Sequence, residues 1–178
     1  NAVKSDFGLP EDSIVINAFN AHIKIDDTYL EAVCEVLHAV PKTVVWFNQA
    51  FERDTIFGVR NYCQSQGVDV NRLYFGGRIE PKSDHYARLH VSDFAMDTFN
   101  VNMSSGSLDN IWAELPVLTL TGDSYYSRIS SSFNKSMGLA SLNTTDLKSY
   151  VDKAIELASD AVLVKKLKSH IAVAKHKS

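Results

Sequence analysis

With 178 residues, 45% of them apolar and 22% charged, the chain suits one folded domain that buries roughly 70% of its unfolded surface, and its composition excludes disorder and a coiled coil. A formal net charge of -3, from 18 Lys and Arg against 21 Asp and Glu, lacks the basic excess that a surface tracking nucleic acid needs. Any anion bound here is expected to be small. Cys34 and Cys63 have no second Cys or His at a metal-ligand spacing and read as buried free thiols. No apolar run approaches the ~20 residues of a membrane span, and the first residues lack the basic-then-apolar layout of a signal peptide. A cytoplasmic protein is therefore expected. The first residue is Asn rather than Met, so a piece of a longer polypeptide is expected too.

In chain order, the β-branched run Ile14 to Phe19 predicts a first strand. Thr28 to Val40 follows as a helix that places Leu30, Val33, Cys34, Leu37 and Val40 on one face. Thr43 to Phe47 predicts strand two, Asp54 to Gln66 a helix closed by Gly67, and Arg72 to Phe75 strand three. Pro81 suits the first turn of a helix reaching His90; Asp93 to Thr98 is strand four, Ser104 to Glu114 a helix and Val117 to Leu120 strand five. Gly122-Asp123 offers an N-cap for a helix from Ser124 to about Lys135, and two helical stretches fill 144–174. Strands separated by helices pair in parallel through right-handed crossovers, so the expected fold is α/β, a doubly wound, Rossmann-like parallel sheet in one domain over 1–178.

Ligands of such sheets bind beyond the carboxyl ends of the strands. There the chain carries Asn20-Ala21-His22-Ile23-Lys24 after strand one, and Gly76 to Lys82 with His85 and Arg88 after strand three. The elbow Ser104-Ser105-Gly106-Ser107 comes after strand four. Small hydroxyl residues and a glycine at a helix start leave free N–H groups and a positive dipole end for a phosphate. The loop after strand one has no Gly-x-Gly-x-x-Gly turn, which disfavours a dinucleotide, and no phosphate loop ending Gly-Lys-Ser/Thr is present. A Gly-x-Ser-x-Gly nucleophile elbow is missing as well. A nucleotide whose diphosphate meets the Ser104 helix start remains. Taken singly, Lys24 suits a solvated surface lysine, His85 a half-buried histidine, Ser104 a plain N-cap and Asp109 a first-turn carboxylate. Trp46, Trp112, Phe47 and Phe75 read as core, and the basic stretch Lys165 to Lys177 as a solvated helix face. Glu80, Asp97 and Asp123 stay open as bases.

A set of ordered motifs carries a family resemblance. It comprises Gly8-Leu9-Pro10-Glu11-Asp12, Phe19-Asn20-x-x-x-Lys24-Ile25-Asp26, Pro81-Lys82-x-x-His85-x-x-Arg88, Met96-Asp97-Thr98 and Trp112-Ala113-x-x-Pro116-Val117-x-Thr119. From about Phe7 to beyond Gly138 the chain resembles the C-terminal lobe of O-linked N-acetylglucosamine transferases and of bacterial relatives that glucosylate protein asparagines. The resemblance implies the nucleotide-sugar-binding lobe of a two-lobed, GT-B-type glycosyltransferase. It would move GlcNAc or a hexose from a UDP-sugar to an acceptor protein, with no metal or other cofactor and with the N-terminal lobe of the same polypeptide as partner. Carried over, Lys24 is the catalytic candidate on the diphosphate. Lys82 and Asp109 would hold the ribose, His85 and Arg88 the uracil, the backbone at Glu80 the base, and Ser104, Ser105 and Gly106 the phosphates. The chain departs from the family where His-Thr-Thr-Gly gives way to Ser104-Ser105-Gly106-Ser107, and where the usual glutamine and tyrosine are Ala21 and Ile23. Two alternatives follow: a non-catalytic module for nucleotide-sugar or protein binding, and a transferase of the same architecture acting on a glycan or lipid.

Overall fold

The computed structural model describes residues 2–47, 51–76 and 82–177. Six strands and seven α-helices alternate along it. They are β1 (Ile14–Ala18), α1 (Asp27–Ala39), β2 (Thr43–Phe47), α2 (Arg53–Ser65), β3 (Leu73–Phe75), α3 (Lys82–Val91) and β4 (Phe94–Met96). Then come α4 (Ser105–Trp112), β5 (Val117–Leu120), α5 (Ile129–Ser136), β6 (Asn143–Thr144), α6 (Leu147–Ser159) and α7 (Ala161–Ala174). All strand pairs are parallel, in the order β3-β2-β1-β4-β5-β6. The order reverses between β1 and β4, and a crevice opens at the carboxyl end of such a switch point. The loops after β1 and β4, with Lys24 and the Ser104 elbow, stand there.

Both sheet faces are covered, so the strands are nearly continuous apolar runs. Alternate residues face opposite ways: Ile16, Val45, Phe47, Phe94 and Met96 join the cluster under α1, α2, α6 and α7, whereas Val15, Val44 and Trp46 pack with Leu9 on the other face. Ala95 and Val117 pack there with Leu89 and Met103. Asp26, Asp146 and Asp160 cap α1, α6 and α7 by accepting the N–H of Tyr29, Ser149 and Leu163, each such cap contributing ~1 kcal/mol. Gly67 closes α2 at φ 82°, a left-handed conformation that favours glycine.

Four expectations need correction. The sheet has a sixth strand, β6, of two residues, too short and polar for periodicity to reveal. The helix after β5 begins at Ile129 rather than Ser124: Ser124 and Ser127 instead close a hydroxyl-bonded turn, and a Cβ at Gly122 would lie 2.5 Å from Ser127 Oγ. Serine hydroxyls here compete with the helical backbone for hydrogen bonds. The basic stretch from Lys165 is not simply a solvated face, because α7 docks through it. Lys168 Nζ donates to the carbonyls of His90 and Ser92, and Lys175 Nζ to Trp112 O and Glu114 Oε1. His170 Nε2 lies 2.8 Å from Met137 O. Trp112, expected in the core, is 56% exposed, its ring lying beneath the Lys175 ammonium. Cys34 and Cys63 are buried free thiols.

Candidate nucleotide cleft

A cleft of about 310 Å³ opens at the switch point, lined by Phe19, Ala21, Lys24, His85, Leu89, Met103, Ser105, Gly106, Asp109 and Asn110. Its phosphate-suited end is built from two loops bonded together. After β1 the chain makes a 3-10 turn, His22–Lys24, and Lys24 Nζ donates to Asn102 O at 2.7 Å. Asn20 anchors the start of that loop: its amide donates to Met96 O, and its carbonyl accepts the Thr98 hydroxyl. Asn102, fully buried, joins the surrounding pieces. Its N–H donates to Tyr126 O, its Nδ2 to Thr98 O, and its Oδ1 accepts the Ser130 N–H.

The elbow itself is strained. Ser104 has φ 59° and ψ -114°, a region open mainly to glycine and worth ~1–3 kcal/mol of strain in other residues. It makes no side-chain cap to α4. The N–H groups of Gly106 and Ser107 bond Met103 O and Ser104 O. Those of Ser104 and Ser105 have no protein acceptor among the described residues, which leaves them as donors at a positive helix end. Ser107 is buried, its hydroxyl 2.7 Å from that of Ser130, so it braces α4 against α5 and does not face the cleft.

The other end of the cleft is the face of α3. Arg88 is buried, lies over the Phe19 ring at 4.3 Å, and donates from Nε to His85 Nδ1 at 3.0 Å. That bond sets the neutral His85 tautomer, with its Nε2 toward Asp109 Oδ2 at 3.9 Å. Burial, with the Arg88 charge adding to it, holds the His85 pKa below its usual value. Asp109 accepts the Tyr86 hydroxyl at 3.1 Å and pairs with Lys82 Nζ at 3.5 Å. Tyr86 and Asp109 together raise the Lys82 pKa.

The structure thus brings Lys24, His85, Ser105, Gly106 and Asp109 onto one cleft. Lys82 stands at its rim on Asp109, and Ser104 is exposed at the elbow. Arg88 is not among the residues lining this cleft; its guanidinium lies over the Phe19 ring and bonds the imidazole of His85. Glu80 lies outside the described residues. Asp97 is shut away from solvent beneath the elbow, which removes it as a base facing substrate, and Asp123 is exposed in the loop after β5. Sequence reasoning assigned no role to Asn102 or Tyr86, whose contacts join residues far apart in the chain. Beside the cleft, a more apolar hollow of about 360 Å³ shares Tyr86 and Asp109. Its cation, Lys175, is already bonded to Trp112 O and Glu114.

Relatives sharpen this picture. The chain is 28% identical over 175 residues to a Caenorhabditis elegans UDP-N-acetylglucosamine–peptide N-acetylglucosaminyltransferase, covering 98% of this chain and 15% of that protein. It is 30% identical over 156 residues to the probable enzyme of that kind, SEC, from Arabidopsis thaliana, covering 87% of this chain and 16% of the relative. An O-GlcNAc transferase mutant from Thermobaculum terrenum superposes with a TM-score of 0.87 at 25% identity, over 93% of this chain and 32% of that one. Staphylococcus aureus TarM, solved with UDP, shares the fold at a TM-score of 0.66 and 12% identity, over 92% of this chain and 32% of that one. The chain spans about a sixth of the length of these curated relatives, and its fold is that of a Rossmann-like lobe of GT-B glycosyltransferases. The model for Glycosyl transferase family 41 matches residues 2–178, and the chain belongs to that family.

Proposed function

We propose that this region is the UDP-sugar-binding lobe of a protein glycosyltransferase. The whole protein, with a second lobe on the same polypeptide, would transfer GlcNAc or a hexose to protein side chains, in a cytoplasmic setting. The observation that carries the reading is the convergence of Lys24, the unbonded Ser104 and Ser105 N–H groups and the His85–Asp109 face on one cleft. The names of the family-41 relatives and of the Thermobaculum structure support the donor and acceptor classes. In this reading the uracil lies against His85, which Arg88 orients, and the ribose hydroxyls meet Asp109 and Lys82. The diphosphate reaches the elbow and the Lys24 ammonium. As the sugar–phosphate bond breaks, charge grows on the departing UDP, and prearranged N–H dipoles with one ammonium stabilise that charge without a metal.

Titration calorimetry with UDP tests the assignment. Binding that Lys24→Ala and Asp109→Ala each weaken supports it, and no heat at millimolar nucleotide in a folded sample overturns it. Ala21, Ile23 and the histidine-free elbow favour a second reading, a lobe that binds UDP-sugars without turnover. UDP release measured with the full-length protein and acceptor peptides separates the two, and glycan acceptors in the same assay test the third class.

A further inference from the structure

Asp97 is the one buried acidic side chain among the described residues. It follows β4, and its carboxylate is met from four directions. Oδ1 accepts the Met103 N–H at 2.7 Å and Oδ2 the Thr119 hydroxyl from β5 at 3.2 Å; the Ser130 hydroxyl from α5 and the Thr98 N–H also reach it. The titratable groups facing it are two buried phenols, Tyr29 of α1 and Tyr150 of α6, both kept neutral by burial. Tyr150 donates to the Asp97 carbonyl. None of these contacts is a cation. The Lys24 ammonium bonds the carbonyl of Asn102, one residue before Met103.

This arrangement matters because Met103 is the residue that leads into the strained Ser104 turn. A buried carboxylate with no counter-ion among the described residues is therefore the group that holds the entrance to the proposed phosphate site. A charge in that position is poorly tolerated, since burial penalises the ionised form and hydrogen bonds offset only part of the penalty. The Asp97 pKa is accordingly pushed up to about 7. A diphosphate on the Ser104 and Ser105 N–H groups adds negative charge close by, through protein rather than water, and favours the neutral carboxyl further.

We propose that Asp97 is a positioning residue of the phosphate elbow that takes up a proton from solvent when a nucleoside diphosphate binds, coupling occupancy of the cleft to the protonation of one buried carboxyl. The inference rests on the UDP reading of the cleft. No bond to the nucleotide is involved: the added proton lets Oδ2 donate to the Thr119 hydroxyl where it now accepts, while Oδ1 keeps the Met103 N–H. Asn at this position reproduces that neutral arrangement, with its carbonyl on Met103 and its amide on Thr119.

The test is calorimetric titration of UDP into the full-length protein at pH 7.5 in buffers of different ionisation enthalpy. The expected result is an uptake of about half a proton per UDP, set by the displacement of a group that titrates near neutrality. Asp97→Asn abolishes that uptake and, at pH 8.5, binds UDP about three- to tenfold more tightly than the wild type. His85→Gln, titrated at nucleotide concentrations high enough to saturate its weakened site, keeps the uptake per bound UDP, which assigns it to Asp97 rather than the imidazole even if Asp97→Asn fails to fold. A buffer-independent heat in the wild type overturns the coupling while the UDP reading stands, and so does uptake that survives in Asp97→Asn or vanishes in His85→Gln. Absence of UDP binding by the folded wild type overturns both.

Discussion

The two edges of the sheet use lysine in opposite ways. At the amino edge, Lys4 Nζ bonds Ser13 O and Asp93, Lys168 bonds the His90 and Ser92 carbonyls, and Lys175 bonds Trp112 O and Glu114. The Lys4 and Lys175 side chains retain only 18% and 13% of their exposure. Each of these ammonium groups meets two acceptors of the chain and so fastens α7 or the N-terminal segment under the sheet. At the carboxyl edge, Lys24 has one protein carbonyl, and Lys82 keeps 69% of its exposure beside Asp109. An ammonium offers three donors, so among the described residues Lys24 keeps two for an anion where each amino-edge lysine keeps one. The comparison teaches that the number of chain acceptors an ammonium meets, rather than residue type, separates the lysines that fasten the fold from the one on the cleft.

The largest expected effect is on the structural side. Lys168→Met should destabilise the fold by about 2 kcal/mol in urea unfolding, because two carbonyls lose their charged donor in a mostly enclosed site. UDP affinity should be unchanged; a loss of affinity would erase the distinction between the edges. Lys24→Ala should do the reverse, weakening UDP binding by ~1–3 kcal/mol in calorimetry with an unchanged unfolding midpoint. Ser104→Gly relieves the positive-φ strain and should raise stability by about 1 kcal/mol in the same urea experiment. A drop would show that the serine hydroxyl holds the elbow. Lys82→Ala, a rim cation in solvent, should change UDP affinity by under about 1 kcal/mol.

The smallest effect is a pH dependence. The His85 pKa lies below its unfolded value because of burial and Arg88. The unfolded chain therefore binds more protons than the native one as the pH drops through the ordinary histidine range, and this contribution to stability is present above that range and lost below it. Unfolding midpoints at pH 7.5 and 5.5 should fall further apart for the wild type than for His85→Gln.

Much of the fold was legible in the chain because local signals agreed with the global arrangement. β-branched or aromatic apolar runs marked β1 to β5, and Gly67 closed α2. The exceptions have physical causes. β6 is held by pairing with β5 and by Asn134, whose amide donates to Val117 O and Asn143 Oδ1, not by any apolar period of its own. The Ser124–Ser127 turn reflects hydroxyls competing with a helix. In the cleft, Lys24, His85, Ser105, Gly106 and Asp109 were findable by their place after strands and by their resemblance to a family. The shared spacing of Lys82, His85 and Arg88 did not show that Arg88 packs over Phe19 and bonds His85.

By itself, then, the sequence determined the parallel α/β architecture and the strand-end loops that face the cleft, through periodicity, turn chemistry and strand-end position, while its resemblance to a family pointed to Lys24, His85, Ser105, Gly106 and Asp109, half of the lining residues. Only the tertiary structure decided how many chain acceptors each lysine meets, that Arg88 bonds His85, and that Asp97 meets hydrogen-bond donors but no cation among the described residues beneath the Ser104 elbow. Those properties depend on contacts between residues such as Lys24 and Asn102, or Asp97 and Thr119, which are distant in the chain and adjacent only once the sheet has closed around them.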